Sequence, residues 1–149
     1  MSEYYFAFGS NMNKERMKER NARFAEMQKG IIKDWKLVFN KINSRKDGAG
    51  FANIEPEKDS VVEGIIYKVE EDTLQKLDRF EGVPNHYIRE MLKVENDKGV
   101  VNCTTYIANP SKIDNSLKPE KSYLNHLLEG KEFLSDGYFF NLKNIETLD

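Results

Sequence analysis

The sequence predicts an α+β protein, a largely antiparallel sheet curled towards a barrel with a few helices beside it. Three observations carry this. Runs rich in aromatic and β-branched residues recur along the chain, and such residues favour a pleated, half-buried backbone. Helical patterns between them are few, whereas parallel pairs need long crossovers. Finally, Asn96-Asp97-Lys98-Gly99 sits between two such runs as a short glycine-containing hairpin loop.

In chain order, the first run is Tyr4 to Phe8, which stops at Gly9. Asn13-Lys14-Glu15-Arg16-Met17 then begins a stretch of helix formers, with Asn13 or Asn11 as N-cap, expected to end near Asn21. A strand, a glycine turn and a helix in this order aim backbone N–H groups at one spot, which suits a carboxylate, a phosphate or an oxyanion. Gly-Ser-Asn also turns well for purely structural reasons, so the pattern alone leaves both readings open.

The segment 24–32 reads as irregular chain followed by strand, with Gly30 marking a bulge or a close backbone contact. Trp35 to Lys41 reads as a strand with Trp35, Leu37 and Phe39 on one face. From Ile42 to Gly50 no apolar period survives, so this is a loop, either a lid or a plain connection. Phe51 to Glu55, a polar turn from Pro56 to Ser60, and a long β-branched run from Val61 to Val69 follow, with a bend at Gly64. With the hairpin strands Tyr87–Glu95 and Val100–Ala108, the expected total is about six strands.

The segment from Glu70 to Glu81 reads as a helix, acidic in its first turn and followed by Gly82. On a 3.6-residue wheel Leu74, Leu77 and Glu81 share one stripe, while Lys76 and Arg79 point away from it. A carboxylate thus stands where the pattern wants a leucine. Burial would lift its pKa above the reference of about 4.3 and fit it for general base chemistry near neutrality. The structural alternatives are a helix that ends before Glu81 and an ion pair with Arg89. In the last third, Pro119 suits the first turn of a helix striped by Tyr123, Leu124, Leu127 and Leu128 and stopped near Gly130. Gly137-Tyr138-Phe139-Phe140 then supplies aromatics to close a barrel end or wall a pocket.

Composition excludes several function classes. The 149 residues suit one domain, residues 1–149, and carry a net charge of -2, so no global basic field points to nucleic acid or an acidic membrane. No run is long enough to span a bilayer, and Met1-Ser2-Glu3 leads into a strand with no basic leader, so a soluble, cytoplasmic protein is expected. Cys103 lies in a strand pattern with no histidine marked as its base, and reads as a small buried residue. His86 and His126 have no metal-ligand spacing, so no metal is expected.

Taken in order, Tyr5-Phe6-Ala7-Phe8-Gly9-Ser10-Asn11-Met12, Gly50-Phe51-Ala52-Asn53-Ile54, Val62-Glu63-Gly64-Ile65-Ile66-Tyr67 and Leu77-Asp78-Arg79-Phe80-Glu81-Gly82 with Tyr87 and Arg89 resemble the γ-glutamylcyclotransferase family. Cys103 to Tyr106 and Tyr123-Leu124 with Gly130 continue the match over nearly the whole chain. The resemblance implies a small mixed, mostly antiparallel β-barrel with flanking helices and no metal or organic cofactor. It implies cleavage of a γ-glutamyl amide with release of 5-oxoproline, Glu81 acting as acid and base. Substrate would be bound by the turn at Phe8, Gly9, Ser10, Asn11 and Met12, with Tyr87 and Tyr106 about the pocket. Phe8 departs from the family, which commonly has Tyr there. The expected partner is a small γ-glutamyl compound, and because small barrels often pair, a homodimer is compatible with the pattern. The rival reading from a different class is a non-catalytic barrel that binds a small acidic metabolite or a protein partner.

Overall fold

The structure, a computed structural model, describes residues 2–149; Met1, read as the head of an unexported chain, lies outside them. Its centre is a closed barrel in the order β1-β3-β2-β4-β5, comprising β1 (Glu3–Ala7), β2 (Glu26–Ile42), β3 (Gly50–Val69), β4 (Tyr87–Asn96) and β5 (Gly99–Ala108). Four pairs are antiparallel, and β1 closes the barrel on β5 in parallel at Tyr5 and Thr104. Four α-helices flank it among the described residues: α1 (Lys14–Glu19), α2 (Glu71–Glu81), α3 (Lys121–Leu128) and α4 (Asp136–Lys143).

The described residues hold five strands where about six were expected, and two of the expected breaks between runs are not breaks. The polar stretch from Pro56 to Ser60 stays within β3, and the segments 24–32 and 35–41 merge into β2. The polar residues sit where the β2–β3 ribbon runs out into solvent. There the register shifts between Lys33 and Trp35, Asp34 and Asp59 take left-handed backbone conformations, and the Asp59 amide donates to Asp34 Oδ1 at 3.0 Å. A mid-strand stretch exposed to solvent needs no apolar alternation, so composition alone looks like a turn. Gly30 marks a close approach: a Cβ there would lie 2.7 Å from Ile66 Cγ1 and 2.8 Å from Val94 Cγ1, inside the barrel. Gly64 serves the same end more severely, since a Cβ would overlap the Ala7 carbonyl oxygen where β1 crosses β3.

Helix boundaries shift by a residue or two. The first helix stops at Glu19, and Asn21 turns the chain with a φ of 57°. Pro119 lies just outside α3, whose N-cap is Glu120. The aromatic segment Tyr138 to Phe140 is part of α4, which meets β3 through Ser135, whose amide and hydroxyl both donate to Glu63 at 2.7 Å. It packs outside the barrel and walls no part of the main cavity. Met17, Leu74 and Leu77 are fully buried, and each leucine contributes about 1.5–3 kcal/mol to holding α2 against the barrel. Cys103 is buried as well, and burial pushes its thiol up to about 12, leaving it inert.

Candidate active site

One cavity of about 580 Å³ opens at the end of the barrel where β1 runs into its glycine turn. Gly9, Ser10 and Asn11 line one side, and Glu81 faces them from the end of α2, seventy residues away in sequence. Phe8, Tyr87 and Tyr106 line it too. Of the residues expected at the site, Met12 alone does not: its side chain is buried beneath the turn, where a Cβ on Gly130 would lie 3.0 Å from its own Cβ.

The turn is shaped from several directions. Residues 10–12 form one 3₁₀ turn closed by bonds from the Met12 amide to Gly9 O at 3.0 Å and the Asn13 amide to Ser10 O at 3.1 Å. Asn13 then caps α1 by accepting from the Glu15 amide at 3.1 Å. A Cβ on Gly9 would come within 3.2 Å of Ala52 Cβ and 3.3 Å of Tyr123 Oη, so glycine lets β1 pass close to β3 and α3. Asn11 is buried. Its amide donates to Tyr5 Oη at 3.0 Å, its side-chain oxygen accepts from Arg20 at 3.0 Å, and its carbonyl accepts from Tyr67 Oη. Arg16 Nε donates to Ser10 Oγ at 3.1 Å.

Tyrosines form the floor. Tyr5 stacks on Tyr67 at 5.9 Å and meets Tyr106 edge-on at 5.8 Å. Tyr106 Oη donates to Asp78 Oδ1 at 2.8 Å, Tyr87 Oη donates to Ala52 O at 2.8 Å, and Tyr123 Oη accepts from the Ala52 amide at 3.0 Å. Burial raises the pKa of all these phenols, and that of Tyr123 reaches about 12, so each stays protonated and serves as a fixed hydrogen-bonding group.

Glu81 is the last residue of α2. The following Gly82 adopts a left-handed φ of 64° and donates to Arg79 O and Asp78 O, which holds Glu81 inside the final turn. Among the described residues, the Glu81 carboxylate makes no hydrogen bond and no ion pair. Burial in the cavity wall lifts its carboxyl above the ordinary range, and the nearby cations Arg20, Arg16 and Lys41 pull it part of the way back. Arg89, the alternative structural partner, is engaged elsewhere with Asp78 and Glu71.

The reading of the sequence missed the cations. Arg16, Arg20, Lys41, Arg45 and Arg79 all line the cavity, Arg79 at the mouth although the helical wheel had turned it away. A signal for two of them exists: Arg16 and Arg20 are spaced i, i+4 directly after the turn, and so share a helix face. Lys41 continues the alternation of Leu37 and Phe39, a lysine where an apolar residue is due, as with Glu81. No cluster of three or more His, Cys, Asp or Glu side chains able to hold a metal occurs among the described residues.

The family described as gamma-glutamyl cyclotransferase, AIG2-like, matches residues 5–125. The chain belongs to this family. Human gamma-glutamylcyclotransferase is 31% identical over 108 residues, which are 69% of this chain and 57% of that protein, so the chain spans a little over half the length of the curated relatives it matches. A solved structure of a gamma-glutamyl cyclotransferase superposes with a TM-score of 0.88 at 30% identity, covering 100% of this chain and 90% of the other. A Bacillus subtilis protein shares the fold, with a TM-score of 0.85 at 22% identity over 98% of this chain and 56% of its own. The barrel and its helices are therefore those of the gamma-glutamyl cyclotransferases.

Proposed function

We propose that this protein is a cyclotransferase that cleaves a γ-glutamyl amide by attack of the substrate's own α-amino group, releasing 5-oxoproline and a free amine or amino acid. The observation that carries this reading is the unpartnered carboxylate of Glu81 facing the Gly9–Asn11 turn across one cavity. Membership in the gamma-glutamyl cyclotransferase family supports it.

The α-ammonium of such a substrate is inert at neutral pH. Glu81 as carboxylate takes one of its protons, and the freed amine attacks the γ-carbonyl carbon to close a five-membered ring. Amides of the Gly9–Asn11 turn steady the oxyanion. Glu81 then gives its proton to the leaving nitrogen as the amide C–N bond breaks. Two protons leave the attacking nitrogen and two are gained by the departing amine, so the step is balanced without water. Because the attack is intramolecular, holding the chain folded supplies much of the rate. No protein nucleophile is required, in keeping with an inert Cys103. The reaction is an internal acyl transfer that eliminates an amine, performed by one domain, and we place it in the cytoplasm. No helix among the described residues is long and apolar enough to cross a membrane.

A panel of γ-glutamyl compounds with detection of 5-oxoproline tests the reading. N-acetylation of the α-amino group should abolish turnover while the free amine is cleaved. Release of plain glutamate would mean that water attacks and the protein is an amidase. Binding of γ-glutamyl compounds without any product would favour the non-catalytic barrel.

A further inference from the structure

Helix α3 backs the Gly9–Asn11 turn from outside the cavity. Leu124 and Leu127 bury its inner face, and the Tyr123 hydroxyl fixes it by accepting from the Ala52 amide at 3.0 Å. One turn further along, His126 faces α1. Its Nδ1 lies 3.0 Å from Asn13 Nδ2, and its Nε2 lies 3.5 Å from a terminal nitrogen of Arg16. His126 is half-buried and lines no part of the cavity, so the proposed reaction makes no direct use of it.

Both ring nitrogens face donors. Asn13 Oδ1 is committed to capping α1, so His126 meets the nitrogen side of that amide, which only donates. A guanidinium likewise only donates. A neutral imidazole has one ring lone pair to offer, and the shorter contact takes it: Nδ1 accepts from Asn13, while Nε2 carries the proton beside Arg16. A protonated ring would turn an N–H onto Asn13 and set a second positive charge against Arg16. Among the charged groups around it, Arg16 and Arg20, from α1 and its C-cap, oppose protonation, whereas Glu19 of α1 and Glu129 at the end of α3 favour it. Burial and the two arginines prevail, so the ring gives up its proton below the ordinary 6.5 and is uncharged near pH 7.

What His126 touches bears on the turn. The Asn13 amide closes the 3₁₀ turn on Ser10 O, and Asn13 O accepts from the Arg16 amide at 3.0 Å as α1 begins. Arg16 Nε in turn donates to Ser10 Oγ at 3.1 Å. Ser10 is thus held twice, once through Asn13 and once through Arg16, and both of these side chains meet His126. We propose that His126 is a positioning residue for the turn: neutral, its Nδ1 fixes Asn13 and lets Arg16 lie against Ser10, and protonated, it releases both. The proposal rests on the cyclotransferase reading for the use of the turn in binding substrate.

KM and kcat for γ-glutamylalanine test it in wild type, His126→Asn and His126→Leu, followed from about pH 8 to about pH 5, across the range where histidine titrates. Asparagine places an amide oxygen near the position of Nδ1 and takes up no proton, whereas leucine offers no acceptor. At the alkaline end His126→Asn should keep the wild-type KM. His126→Leu should raise it about threefold to tenfold, the worth of one hydrogen bond, with kcat changing less. As pH falls, the wild-type KM should climb above that of His126→Asn in step with protonation of the ring, read by NMR. Glu81 and His86 also face the cavity, but they titrate in both proteins and cancel in the comparison. A KM untouched in His126→Leu, or the same pH dependence in wild type and His126→Asn, would overturn the proposal. Should His126→Leu fail to fold, the comparison with His126→Asn decides alone. If wild-type protein yields no 5-oxoproline, the cyclotransferase reading fails, and exchange of the Arg16 Nε proton with water decides on the positioning role. Faster exchange in wild type than in His126→Asn once the ring is protonated supports it, and equal rates overturn it.

Discussion

The guanidinium of Arg89 closes on Asp78, with Nε 2.7 Å from Oδ1 and a terminal nitrogen 2.8 Å from Oδ2. Asp78 precedes Glu81 by about one helical turn, and the bidentate geometry is the strong one for this pair. The ion pair that would have made Glu81 a structural residue is therefore made by a neighbour, and Glu81 is left facing the cavity.

Glu81→Gln should accordingly separate function from stability. Acid–base roles are worth roughly 10² to 10⁴ in rate, so 5-oxoproline formation should fall by at least about a hundredfold. No buried cation loses an ion-pair partner, so the melting temperature should stay level or rise. The pH dependence follows from the raised carboxyl. Between its unfolded pKa of about 4.3 and its higher folded value, the folded protein holds the extra proton, so wild-type stability declines as pH rises through that window. The advantage of Glu81→Gln over wild type should grow across it and level off above, which paired thermal melts would read.

Asp78→Asn should show the opposite balance. It leaves Arg89 with only Glu71, at 3.1 Å, and weakens the bond that Tyr106 donates. Both partners are about 30% accessible (31% and 27%), so water screens part of the loss and a cost of about 1–2 kcal/mol is expected. Denaturant unfolding would measure it. Substrate affinity should weaken as Tyr106 loosens, with turnover at saturation changing less than in Glu81→Gln.

Two glycines give a contrast within the barrel and beside it. Gly64→Ala forces a methyl group onto the Ala7 carbonyl where β1 pairs with β3, and should cost several kcal/mol or prevent folding. Gly137 lies in α4 with nothing within 4 Å of its would-be Cβ, so Gly137→Ala should stabilise by about 0.5–1 kcal/mol. Melts of the two variants against wild type would check both signs.

Local chemistry made much of this protein legible from its sequence. The apolar run ending at Gly9, the Asn13 cap, the hairpin at 97–98 and the stripe of Leu74, Leu77 and Glu81 each depend on neighbours a few residues away, and each has its physical cause inside that span. What tertiary structure alone decided is what faces what. Nothing local says that Arg89 meets Asp78 rather than Glu81, because the choice follows from where β4 passes α2. The continuity of β2 and β3 through polar stretches was hidden for a related reason: a ribbon outside the core pairs through its backbone, which composition does not record. The cations were hidden too. Arg16 and Arg20 lie together on α1 and its C-cap while Lys41 belongs to β2, and the three become a field only when barrel closure brings them round one carboxylate, since Coulomb interaction depends on distance in space and not along the chain.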